Sequence, residues 1–70
     1  MPVDYSQLDP AFAKLARPAQ RALINARIFT VADLARYDRE AVLALHGIGP
    51  SAMPMLEAAL RQAGLAFREG

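Results

Sequence analysis

The chain contains no cysteine, no tryptophan and only one histidine, which excludes several kinds of chemistry at the outset. Without thiols there is no disulfide framework and no thiolate metal site, and His46 alone cannot build a zinc site from nitrogen and sulfur ligands. No metal and no cofactor is expected. The missing cysteines also fit a reducing compartment, so the expected location is cytoplasmic. No apolar run is long enough to cross a bilayer, and Met1-Pro2-Val3-Asp4-Tyr5 lacks the basic-then-apolar order of a secretory leader, so no membrane partner is expected. Alternating strand patterns are missing too, because Ala, Leu and Arg stand where a sheet would need β-branched residues. Strong charge of either sign is also lacking, the net charge being +1. Where the basic residues cluster, not their total, must decide whether they meet an anionic partner.

What remains is the composition of one small helical domain. Seventy residues leave no room for a second domain, and 54% of them are apolar, many of these alanine. The expected fold is compact and all-α, with four to five helices packed closely around a limited set of Leu, Ile, Val, Phe and Met side chains.

Residues 1–8 carry no strong pattern and are expected to form an N-terminal arm, leaving 9–70 as the domain. Asp9-Pro10 supplies an N-cap and a proline for a short turn through Lys14. A helix is predicted from Ala16 to Ala26, opened by Pro18. Ala19, Ala22, Leu23 and Ala26 form its core face, with Arg17, Arg21 and Ile24 on the other side. Thr30 with Asp33 caps a short helix to about Tyr37, and Asp38 caps another over Arg39–Leu45. In the last helix Ala52, Met53, Leu56, Ala59, Leu60 and Ala63 form one stripe, and Glu57 and Arg61 make an i,i+4 pair. Pro54 conflicts with a helix that begins at Pro50, so either the first turn is distorted or the regular helix begins near Met53. Gly64 ends it, Leu65-Ala66-Phe67 is expected to fold back as an apolar hook, and Arg68-Glu69-Gly70 to fray. Tyr5 and Phe12 are expected to cover the core.

The stretch Leu45-His46-Gly47-Ile48-Gly49-Pro50-Ser51-Ala52 is the centre of this order. Two glycines around one apolar residue can turn the chain tightly while Ile48 anchors in the core. Pro50 then suits a first helical position, since its φ is already helical and its missing N–H has no partner there. The outcome is a helix start with amides pointing outward, partly positive and able to hold a phosphate.

This order of helices, short helices, Gly-Ile-Gly hairpin and final helix resembles a helix-hairpin-helix domain. More narrowly, it is similar to the SAM-like C-terminal domain of the bacterial RNA polymerase alpha subunit. The likeness rests on Arg17–Leu23, Ile28–Leu34, Leu43–Gly49 and Leu60–Leu65, and covers most of the chain from Leu15 onward. It implies non-catalytic duplex DNA binding through the first main helix and the hairpin, to the minor groove and its phosphates, together with contacts to transcription-related proteins. Several family contact residues are replaced. Pro18 stands where the family has its principal DNA-contacting arginine, Arg21 where it has an asparagine, Pro50 and Ser51 where it has lysines, and Ala52 where it has a serine. Fewer basic hairpin groups imply less counterion release and weaker affinity than in a typical member.

The expected nucleic-acid contacts are therefore Arg17, Arg21, Gly47, Ile48, Gly49 and Ser51, in a monomer. The alternative expectation is a protein-interaction module that keeps the fold and presents Ile24 and Met55 to a partner. Enzyme activity is not expected. Asp9, Asp33 and Asp38 are accounted for as caps, His46 as a solvated turn residue, and Ser51 has no triad partner.

Overall fold

In the computed structural model, which describes residues 3–69, every regular element is helical and no strand is present among those residues. The leading segment is more ordered than an arm. Asp4 caps a 3-10 turn, Tyr5–Gln7, by accepting the Ser6 N–H at 3.0 Å, and Leu8 behind it is buried in the core. A second 3-10 turn, Pro10–Phe12, has Asp9 as its cap at 2.9 Å from the Ala11 amide, and places Phe12 fully inside. Met1 and Pro2, at the start of the expected arm, and Gly70 at the far end lie outside the described residues.

Helix α1 spans Arg17–Asn25 and buries Ala19, Gln20, Ala22 and Leu23. It closes in a Schellman motif: the Ile28 amide donates to the Leu23 carbonyl at 2.8 Å and the Arg27 amide to that of Ile24 at 3.0 Å. The residue that turns left-handed there is Arg27, at φ 61°, a conformation usually taken by glycine. Helix α2, Val31–Leu34, starts with a reciprocal capping box between Thr30 and Asp33. It ends short of Tyr37 because the chain tightens: the Arg36 and Tyr37 amides donate three residues back, to Asp33 and Leu34. Helix α3, Arg39–Leu43, is capped by Asp38 and stops before Leu45 for the same reason, with the Leu45 amide on the Val42 carbonyl.

The final helix resolves the conflict at Pro54. Pro50–Ala52 is a 3-10 turn, and α4 runs as regular helix over Met53–Gln62. Pro54 thereby falls in the first turn of α4, where its absent N–H leaves no bond unmade. Gly64, at φ 73°, ends α4 in a second Schellman motif through the Leu65 and Gly64 amides. Ala63 does not belong to the core stripe; it is the C-cap and is exposed. The Glu57–Arg61 pair also gives way, since Glu57 meets Arg39 of α3 at 3.7 Å in an exposed contact of little energetic weight.

One core joins all of these elements. Phe12, Leu23, Ile28, Leu34, Val42, Met53, Leu56 and Leu60 are its largest buried side chains, with Ile48 and Ala52 sealing the turn before α4. The Cα radius of gyration, 10.9 Å, agrees with the value of about 11 Å for a close-packed chain of this length. In the expected apolar hook, Phe67 packs against the core, whereas Leu65 and Ala66 are exposed. Arg68 is fastened rather than frayed, its amide donating to the Tyr37 carbonyl at 2.9 Å.

Candidate nucleic-acid interface

The turn between α3 and α4 is pressed against the beginning of α1. Gly47 adopts φ 102°, and a Cβ built there would lie 2.5 Å from the carbonyl oxygen of Pro18 and 3.4 Å from the Ala22 Cβ. Only glycine permits both that backbone angle and that approach. Pro18 and Ala22, four residues apart, make the flat stripe on α1 that receives the turn. Arg17, Arg21 and Asn25 form the adjacent stripe, again at four-residue spacing.

Together these residues line a cleft of about 270 Å³, formed by Arg17, Pro18, Arg21, Ala22, Asn25, His46 and Gly47. Arg17, Arg21, Asn25 and His46 are exposed, and no carboxylate is present in the lining. The chain's aspartates are engaged elsewhere: Asp4, Asp9, Asp33 and Asp38 all accept backbone amides at helix starts. At Asp33 the Thr30 N–H, 3.1 Å from Oδ2, holds the carboxyl below its ordinary range. The Ser6 hydroxyl and amide do the same for Asp4.

The two helix starts beside the cleft differ from these capped ones. α1 follows Ala16 and the Pro50 turn follows Gly49, each without a side-chain cap and without an acidic residue in its first turn. Pro18 and Pro50 have no N–H to satisfy. The Ile48 amide is used, donating to the Leu45 carbonyl at 3.1 Å, while those of Gly47, Gly49 and Ser51 have no partner among the described residues.

No protein-family model matches this chain, and neither does any curated protein or solved structure. What the cleft can do rests on its own residues.

Of the expected nucleic-acid contacts, the structure brings Arg17, Arg21 and Gly47 to one cleft. Gly49 and Ser51 follow in the chain outside its lining, and Ile48 is withdrawn, its side chain buried and its amide engaged. Gly49 is in extended backbone with open space around a built Cβ, so neither φ nor packing demands a glycine there. Ile24 and Met55 do not form a common surface. Ile24 is half-buried and packed on the core, while Met55, 37% exposed, lines a separate groove with Pro10, Ala11, Lys14, Ala58, Ala59 and Gln62.

Sequence reasoning missed Asn25 as a lining residue, and it placed His46 at the turn's entrance as a solvated residue; His46 is exposed there and lines the cleft. Asn25 continues the Arg17–Arg21 spacing by one further turn, and that periodic signal was available. Gln20 was missed as well. It is buried, and its Nε2 donates to the Phe12 and Ala13 carbonyls at 2.9 and 3.2 Å, joining α1 to the leading segment. Nothing local in the sequence points to those partners. Among the described residues no group of three or more His, Asp or Glu side chains could hold a metal, and no helix is long and apolar enough to cross a membrane.

Proposed function

We propose that this protein is a small non-catalytic module that binds duplex DNA through its phosphate backbone, with weak or no sequence preference, in the manner of a helix-hairpin-helix domain. The observation that carries the proposal is the meeting of an uncapped, proline-containing start of α1 with the α3–α4 turn at an acid-free cleft bearing two exposed arginines. Bare helix starts are partly positive, and arginine forks match phosphate geometry. The amides of Gly47, Gly49 and Ser51 add neutral donors that read charge and not base identity. A role in transcription belongs to the same proposal and derives from the resemblance of the sequence pattern.

The direct experiment is a titration of fluorescent duplex DNA at two salt concentrations, with wild type and Arg21→Ala. Saturable binding that weakens as salt rises is expected, with Arg21→Ala reducing affinity similarly on unrelated sequences and flattening the salt slope by about one unit. Salt-independent binding, or none by the folded protein at low salt, would sink the proposal.

A further inference from the structure

The two arginines of the cleft are not held alike, and the difference originates outside the cleft. Gln20 is 6% exposed, the one polar side chain in the core among the described residues. Both its amide hydrogens are committed to the Phe12 and Ala13 carbonyls. Reversing the amide would set its oxygen against two carbonyl oxygens, so Oε1 must be the end that remains available. Arg17 donates to that oxygen from Nη1 at 3.2 Å. Its guanidinium carbon also lies 4.0 Å from the ring centroid of Tyr5, within range of a cation–π attraction. The ring is carried by the 3-10 turn that Asp4 caps. Arg21 has no hydrogen bond, ion pair or aromatic partner among the described residues.

An arginine on a solvated helix face must give up rotamer freedom before it can grip a ligand. Arg17 has already given up much of it. The guanidinium carbon lies over the face of the Tyr5 ring and Gln20 takes one of the five N–H groups, so the N–H groups without a hydrogen-bond partner among the described residues are available to an anion. From this geometry we infer that Tyr5 and Gln20 are positioning residues, which pre-organise Arg17 as a fixed phosphate fork on the side of the cleft that faces the leading segment, in a groove that Asp9 also lines, while Arg21 contributes unfixed charge. The inference rests on the DNA-backbone reading above and makes the leading segment part of the site through Arg17.

The test compares wild type, Tyr5→Leu and Tyr5→Phe by the same duplex titration at low salt, alongside proton NMR of Arg17 in the free protein. Tyr5→Leu keeps apolar bulk and removes the ring. It should weaken binding about two- to fivefold, the weight of an exposed cation–π contact, and abolish the upfield ring-current shift of the Arg17 side-chain protons. Tyr5→Phe should retain both. In an Arg17→Ala background, Tyr5→Leu should have no further effect on affinity. If wild type binds and Tyr5→Leu binds equally well, or if the loss persists without Arg17, the positioning role is overturned while the DNA reading stands. Wild type that binds no duplex, with the ring-current shift intact, overturns the DNA reading and the positioning role together.

Discussion

The helix starts in this molecule fall into two groups. Those at Tyr5, Pro10, Val31 and Arg39 each have a side-chain cap, from Asp4, Asp9, Thr30 and Asp38. Those at Arg17 and Pro50 have none, nor does that of α4 at Met53, which continues directly from the Pro50 turn. A cap contributes about 1 kcal/mol, and in a domain whose whole stability is on the order of 4–10 kcal/mol that is a sizeable fraction. Leaving these starts bare is locally unfavourable, and those at Arg17 and Pro50 flank the stretch where the α3–α4 turn meets α1. The contrast teaches that the chain's aspartates, with Thr30, stabilise one set of helix ends while the other set is left without a side-chain acceptor, as the proposed anion site would require.

The strongest way to break this contrast is to separate the turn from the start of α1. Gly47→Ala combines a left-handed backbone with a methyl group driven into the Pro18 carbonyl, and should destabilise the protein by roughly 2–4 kcal/mol in urea unfolding. Gly49→Ala, with open space and extended φ, should stay within about 0.5 kcal/mol of wild type in the same experiment. Removing a cap comes next in size. Asp38→Ala leaves the Ala41 amide, now 2.7 Å from Oδ1, without its side-chain acceptor, and should cost about 1 kcal/mol with no change in DNA affinity.

Adding a cap sharpens the comparison from the other side. Ala16 is exposed and already extended, as an N-cap must be. Ala16→Asp should therefore raise stability by about 0.5–1 kcal/mol while weakening DNA binding, because it sets a carboxylate at the start of α1, next to Arg17. A stabilised variant with undiminished affinity would show that the bare start serves no ligand.

The smallest effect is a pH dependence confined to the capped group. The Asp33 carboxyl is depressed in the folded state by the Thr30 amide, so its contribution is fully present above the unfolded value of about 3.9 and is lost as pH falls through the lower folded value. Asp33→Asn should be less stable than wild type at neutral pH, with the gap narrowing in acid unfolding below about pH 4.

The capped half of the molecule was the more legible in sequence, for a physical reason. Asp9, Thr30 with Asp33, Asp38 and Gly64 act within a few residues of themselves, so their patterns declare them. Helix ends were overextended at Tyr37 and Leu45 because the tightening to three-residue hydrogen bonds leaves no compositional mark. Two features of α1 were illegible. Arg27 is left-handed because Ile28, its neighbour, must enter the core and close the motif on Leu23, and nothing in the residue itself announces that. Gln20 is buried because its acceptors arrive from residues 12 and 13. Of the two glycines in the α3–α4 turn, sequence could not tell that Gly47 is demanded by contact with Pro18 and that Gly49 is not. The cleft itself was half visible: Arg17 and Arg21 stood out as charges, whereas Asn25 and His46 join them only once the turn is laid across the helix.

Both outer segments of the chain are fastened to the same middle stretch. The Asp9 amide donates to the Phe29 carbonyl at 2.8 Å and the Arg68 amide to the Tyr37 carbonyl at 2.9 Å, while the Tyr37 hydroxyl donates to the carbonyl of Ala26. Tension pulling the two outer segments apart would first meet one backbone bond at each of these attachments, with Leu8 and Phe67 as the neighbouring apolar anchors, before reaching the buried Phe12 and the two Gln20 hydrogen bonds behind it. Each attachment would yield singly and early. Under mechanical load the molecule should therefore peel from its two outer segments inward, with Tyr5 leaving Arg17 before the core gives way.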